Sequence, residues 1–189
     1  MVYSRKFLNG FTLIEVIVVV GLIGLIALFI LGILLANNRF YNNQTGEITA
    51  ISGTRQIADR IAEYGRAAVS VEAAYTYNSM NYTSGASTII FKIPSIDSAS
   101  QIIAGTYDYV IITPDIVDPA RLMLFLDPHI TSARNPRNAE LTRNLAVAAF
   151  TYNPDIATAD TAAYNIQINV GGTNPAAETI TGQVTFRNK

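Results

Sequence analysis

Three hydrophobic patterns follow one another along the chain. From Val16 to Ala36 the residues are apolar without interruption. At 1.5 Å per residue this run of about 21 residues spans about 30 Å, the thickness of a bilayer core. Residues 51–69 then separate by face. With Ile51 at zero and 100° per residue, Ile57, Ala58, Ile61, Tyr64, Gly65, Ala68 and Val69 share one arc. Arg55, Asp59, Arg60, Glu63 and Arg66 fall on the other. That separation predicts a helix lying on a core. No proline occurs before Pro94, so one helix is expected from Thr12 to about Ala74, with the polar stretch 37–49 as a place for a kink.

After Tyr75 the period changes. Tyr75, Tyr77, Asn78, Asn81, Tyr82, Ser84 and Gly85 read as a loop. Strands are predicted at Thr88–Ile93, Tyr107–Thr113, Arg121–Asp127, Leu145–Tyr152, Ala163–Val170 and Glu178–Phe186, each bounded by Pro, Gly, Asn or Asp. The last two alternate cleanly around Gly171-Gly172-Thr-Asn-Pro175, so they form an antiparallel hairpin. The fold class is therefore α+β: a long N-terminal helix, part membrane and part amphipathic, packed on a C-terminal antiparallel β-sheet head.

Composition sharpens the first pattern. Only 14% of the 189 residues are charged, against about a quarter in an ordinary soluble domain. The deficit is local, because Glu15 is the sole charge between Phe7 and Asn38. Arg5 and Lys6 precede the apolar run, which places that end in the cytoplasm and the head outside. The run is too long for a secretory signal core and no small-residue cleavage site follows it. Zero cysteines and one histidine exclude disulfides, thiolate chemistry and multi-histidine metal centres. A net charge of −1 gives no basic bulk surface for nucleic acid.

Glu15 is the anomaly. A carboxylate at the centre of a membrane costs about 3 kcal/mol and less near the interface, so it needs a partner. The residues around it carry a resemblance. Gly10-Phe11-Thr12-Leu13-Ile14-Glu15, behind a short basic leader and ahead of an apolar helix, resembles the type IV prepilin motif shared by pilins and type II secretion pseudopilins. The resemblance implies that prepilin peptidase cuts after Gly10 and methylates the amine of Phe11. It implies that Glu15 pairs with such an amine on an adjacent subunit during assembly. Gly21, Gly24 and Gly32 share an 80° arc of the helix, a candidate packing seam. Many pilins carry a helix-breaking proline in this region; here Gly32 stands near that place. More loosely, Gly105-Thr-Tyr107-Asp108-Tyr109, Arg121-Leu122 and Val184-Thr-Phe186-Arg187-Asn188 resemble J-type pseudopilins and large minor pilins. The C-terminal disulfide loop of many pilins is absent.

The domain plan is then residues 1–10 as leader, 11–36 as membrane and filament-core helix, 37–74 as its amphipathic extension, and 75–189 as the head. Other chemistry is thin. There is no nucleotide-binding glycine loop and no His-Glu-x-x-His. His129 in Asp127-Pro128-His129 could serve a Ser/His/Asp site, but an exposed polar residue is the better reading. The loops 113–119 and 153–160 are oxygen-rich enough to suggest calcium, yet lack EF-hand spacing and read better as turns. Arg134, Arg137 and Arg143 form a basic cluster in a polar loop, read as solvated. Asn43 and Asn81 fit a weak glycosylation pattern.

The expected function is a structural subunit, a minor pilin or pseudopilin, with no enzymatic activity, no metal and no cofactor. Its expected partners are other subunits, the prepilin peptidase, the inner-membrane assembly platform and, before assembly, the lipid bilayer. Nucleic acid is disfavoured as a partner but left open. The expected location is the inner membrane as a single pass, then an extracytoplasmic filament. The rival is a membrane-anchored binding module that does not assemble.

Overall fold

The structure, a computed structural model, describes residues 12–169 and 177–186. The chain divides into two units, up to Asn42 and from Asn43 onward. One helix, α1 (Leu13–Ala67), carries residues of both.

In the first unit α1 opens on a capping box. The Thr12 hydroxyl accepts from the Glu15 N–H at 3.4 Å, and Glu15 Oε2 accepts from the Thr12 N–H at 3.1 Å. This reciprocal arrangement satisfies donors that every helix start leaves open. Leu13–Asn42 forms 30 residues of helix with a mean hydropathy of 3.2 in its most apolar window, long and apolar enough to cross a membrane.

Among the described residues the second unit holds the rest of α1 and ten strands. They are β1 (Ser70–Val71), β2 (Ala74–Tyr77), β3 (Met80–Thr83), β4 (Ile89–Ile96) and β5 (Ile102–Pro114). The chain continues with β6 (Leu122–Asp127), β7 (Arg137–Thr142), β8 (Leu145–Asn153), β9 (Thr161–Asn169) and β10 (Ala177–Thr185). All pairings are antiparallel, in sheets ordered β1-β4-β5-β6-β7, β10-β9-β8 and β2-β3. The α+β class and the antiparallel sheets agree with the sequence pattern.

One face of α1 closes the core. Thr54, Ile57, Ala58, Ile61 and Tyr64 are buried at helical spacing, and Ala68 just past the helix end is buried with them. Ile57, Ile61, Tyr64 and Ala68 share one core with Phe91, Val110 and Leu124 from the larger sheet and Phe150, Ile166 and Val184 from the smaller. Gly65 makes this approach possible: a Cβ there would lie 3.0 Å from Val184 Cβ and still closer to its Cγ1. The larger sheet is covered on its other face too. Ile90, Ile111 and Tyr82 form a second cluster, joined by Tyr75, Tyr77, Tyr109 and Phe125. Burial on both faces explains why β4 is almost wholly apolar.

Several expectations need correction. The helix ends at Ala67, not Ala74, because Val69 and Glu72 donate their N–H groups to Lys92 and Ile90 of β4. The loop predicted from Tyr75 contains the hairpin β2–β3, whose two-residue turn Asn78-Ser79 has positive φ at both positions. That is the turn whose twist matches a hairpin, built here without its usual glycine. Residues 137–142 are edge strand β7, where a polar loop was expected. Residues 37–49 are themselves helical, part of α1.

Candidate functional site

The apolar half of α1 is the first candidate site. Every described side chain from Leu13 to Asn42 is exposed on the isolated chain, Leu13 at 80% and Phe29 at 67%. Apolar residues surround the helix, so no single face can be hidden against a head. Such a surface needs lipid or other helices around it. A Cβ added at Gly21, Gly24 or Gly32 would meet nothing within 4 Å, so any packing these glycines serve comes from outside this chain. Glu15 finds a local partner: Oε2 accepts from both the N–H and the hydroxyl of Thr12, each at 3.1 Å. Arg5, Lys6, Gly10 and Phe11, the expected leader charges and cut site, lie outside the described residues. So do the expected turn at 171–175 and the terminal Arg187-Asn188.

The head carries two polar centres. At the first, Asp108 is fully buried. Its Oδ1 accepts from Ser95 Oγ at 2.6 Å and from the His129 N–H at 2.9 Å. Its Oδ2 accepts from Ser132 Oγ at 2.8 Å and from Arg134 Nη1 at 2.5 Å. Burial pushes the Asp108 carboxyl up, but the hydrogen bonds from Ser95, Arg134, His129 and Ser132 outweigh it and hold the group below its usual range. Arg134 also donates to the Pro94 carbonyl. The centre staples the 128–134 connection to β4 and β5.

A Ser/His/Asp triad does not form here. Ser132 bonds to Asp108 directly, and His129 reaches Asp108 only through its backbone. The exposed His129 ring has Nδ1 2.8 Å from Thr131 Oγ1. The serine–imidazole hydrogen bond that nucleophilic catalysis requires is not among these contacts.

At the second centre, Arg121 Nη2 lies 2.6 Å from Glu140 Oε2, and Arg143 Nε lies 2.5 Å from Glu140 Oε1. Hydrogen bonding from Arg143, then from Arg121, holds the Glu140 carboxyl low despite some desolvation. The predicted basic cluster is thereby dispersed. Arg134 serves Asp108, Arg143 serves Glu140, and Arg137 stands exposed on β7.

The oxygen-rich loops use their carboxylates as turn acceptors. Asp115, Asp118 and Asp155 take the N–H groups of Val117, Ala120 and Thr158. Among the described residues no three His, Asp or Glu side chains converge as a metal site. Asn81 is exposed on β3, where its side-chain oxygen accepts from the Thr76 hydroxyl.

A pocket of about 230 Å³ opens between the β2–β3 hairpin and the connection after β5. Its walls include Tyr77, Met80, Tyr82, Pro114, Val117 and Phe125. Nothing in the periodicity announced it, because its residues come from three separated stretches. Asp108 was equally hidden: an acid inside Tyr107-Asp108-Tyr109 looks like the outward side of a strand until the partners of its carboxylate are known.

Comparison of the chain with known protein families, with curated proteins and with solved structures finds no match.

Proposed function

We propose that this chain is a structural subunit of a type IV pilus or type II secretion-like filament, in the minor pilin or pseudopilin class. One observation carries the reading: the motif Gly10-Phe11-Thr12-Leu13-Ile14-Glu15 leads into a helix, starting at Leu13, that is apolar on every face. Such a helix suits two successive surroundings, first lipid and then a bundle of its own kind. In this reading prepilin peptidase cuts after Gly10 and methylates Phe11. The subunit waits in the inner membrane until the assembly platform draws it into the filament. Glu15 then pairs with the Phe11 amine of a neighbour, since two charges desolvated together cost less than either alone. Gly21, Gly24 and Gly32 face adjacent helices. The head is displayed, and the role is structural, with no chemistry of its own.

Mass spectrometry of the mature N-terminus tests this. The expected species begins at a methylated Phe11; an intact Met1 overturns the proposal. A second reading, a plain membrane-anchored binding module, is favoured by the Thr12–Glu15 contact, which gives the acid a local capping role. Glu15→Ala separates the two. The filament reading expects normal insertion and lost incorporation, whereas the anchor reading expects only a weaker helix start, about 1 kcal/mol.

A further inference from the structure

Three aromatic rings and one carboxylate line the pocket beside the β2–β3 hairpin. Phe125 lies against both Tyr77 and Tyr82, with ring centroids 5.5 and 5.8 Å away and planes tilted by 38° and 43°. The rings therefore do not share one plane. Ile90 and Ile111 back them in a buried cluster, so the wall is formed before any guest arrives. Among the described residues that line the pocket, Asp115 is the only charged one. Its Oδ1 accepts from the Val117 N–H at 3.0 Å, which fixes the carboxylate at the start of the connection after β5. Burial first, then Tyr77 and Asp115, push the Tyr82 hydroxyl up, so the negative charge is felt at the ring wall.

The cations nearby are held by another acid. Arg121 donates to Glu140 from Nε at 2.8 Å and approaches it at 2.6 Å through Nη2. Its Nη1 lies farther from Asp115 Oδ2, at 3.5 Å. Arg143 is bound to Glu140 at 2.5 Å. Neither guanidinium lines the pocket. Around them stand three carboxylates, Asp115, Glu140 and exposed Asp118, against these two cations.

These features select a guest. A wholly apolar one would desolvate Asp115 without compensating it. A cation answers the carboxylate, and aromatic rings attract a cation over their faces. A primary ammonium or a guanidinium brings N–H groups that need acceptors. Two hydroxyls of the wall are already engaged, Thr113 with Thr88 Oγ1 at 2.8 Å and Tyr82 with Met80 Sδ at 3.7 Å. A trimethylammonium has methyl groups for the apolar wall, a diffuse positive charge and no N–H to satisfy. About 230 Å³ is below the roughly 300–1,000 Å³ of drug-sized sites and suits one such head group.

We propose that this pocket binds a quaternary ammonium group of the choline type. Tyr77, Tyr82 and Phe125 supply the ring wall, and Asp115 supplies the counter-charge. The site lies within the head, so it stands or falls independently of the filament reading.

Choline chloride is the probe, with the full chain held in maltoside micelles, which contain no choline. Met80 lies in the pocket wall and reports through its labelled methyl resonance, assigned by its loss in Met80→Leu. Choline is expected to shift this resonance saturably, with a Kd of about 1–10 mM, where potassium chloride at equal ionic strength does not. The neutral isostere, in which carbon replaces the nitrogen of choline, should bind about tenfold more weakly. Tyr77→Leu should weaken choline about fivefold. Asp115→Asn keeps an oxygen for the Val117 N–H, so the turn survives. Choline affinity should still fall about fivefold in it, while that of the isostere stays unchanged. The proposal is overturned by the absence of a saturable shift, by equal binding of the isostere, or by a choline affinity unmoved in Asp115→Asn. Adding phosphatidylcholine to the micelles then separates two sources of the group. A matching Met80 shift assigns a lipid head group and no shift assigns a free amine; either upholds the site.

Discussion

Replacing Asp108 by Asn removes one charge and changes little volume, yet the head should lose much of its stability. Four donors converge on the carboxylate, two on each oxygen: Ser95 and His129 on Oδ1, Ser132 and Arg134 on Oδ2. An amide offers one oxygen and puts an NH₂ group where the other stood. Two donors then face a donor, and Arg134, whose side chain is 23% exposed, loses its buried counter-ion. Breaking a buried pair from one side costs about 3–5 kcal/mol. Two lost hydrogen bonds to a charged group, at about 1.5–3 kcal/mol each, give the same range. For a head of about 150 residues each kcal/mol moves the melting temperature by roughly 2–4 °C, so a fall of about 6–20 °C is expected at pH 7. Thermal melts of the full chain in detergent, followed by near-ultraviolet circular dichroism, read this directly. The pH dependence has a definite sign. Asp108 is held below its usual range, so its stabilisation is complete above the ordinary carboxylate pKa and is lost as pH falls through the lowered value. The gap between parent and variant should narrow below about pH 4. Asp118→Asn, an exposed control, should shift the melt by less than about 2 °C. A fall under about 3 °C at pH 7, or a gap unchanged between pH 7 and pH 3, refutes the reasoning.

Two further changes probe the packing around the helix and the second sheet. Gly65→Ala gains about 1 kcal/mol of helix propensity but drives a methyl into Val184, an overpacking that costs about 1–3 kcal/mol, so a net loss of up to about 2 kcal/mol is expected. Adding Val184→Ala should recover part of it, whereas Gly24→Ala, with open space around it, should leave the head's melt unmoved. Tyr152 donates to the carbonyls of Gly85 and Thr88 at 3.0 and 2.9 Å, bridging the smaller sheet to the turn before β4. Tyr152→Phe should cost about 1–2 kcal/mol in a urea titration of the head. Burial pushes the Tyr152 hydroxyl up to about 12, so its stabilisation is complete below the ordinary phenol value near 10. It should be lost as pH rises through 12, and the Phe variant should lack that component of the alkaline decline.

Much of the architecture was legible because single-residue periodicity carries it. The apolar run, the two faces of residues 51–69 and the alternation in β9 and β10 each follow from one local rule applied along the chain. Thr12 and Glu15, three apart ahead of an apolar run, are a capping box that the sequence alone could have disclosed. The roles proposed for Gly10, Phe11 and Glu15 rest on the local motif alone.

What escaped the sequence depends on partners far away along it. The helix stops at Ala67 although Ala68 and Val69 continue its apolar arc, because β4 offers Val69 and Glu72 hydrogen bonds from residues about twenty positions on. β2 and β3 are rich in Tyr and Asn and lack a Gly turn; they become a hairpin by covering Ile90, Ile111 and Phe125. The three arginines around Pro136 looked like one cluster, and tertiary structure sent Arg134 and Arg143 to different acids. The sequence by itself determined where this chain is apolar, and therefore which segment must leave water. Only the fold decided which buried charges meet, which glycine admits a neighbour, and which separated stretches line the pocket beside the β2–β3 hairpin. Hydrophobic pattern is a property of each residue and its immediate neighbours, whereas pairing is a property of the geometry that brings distant residues together.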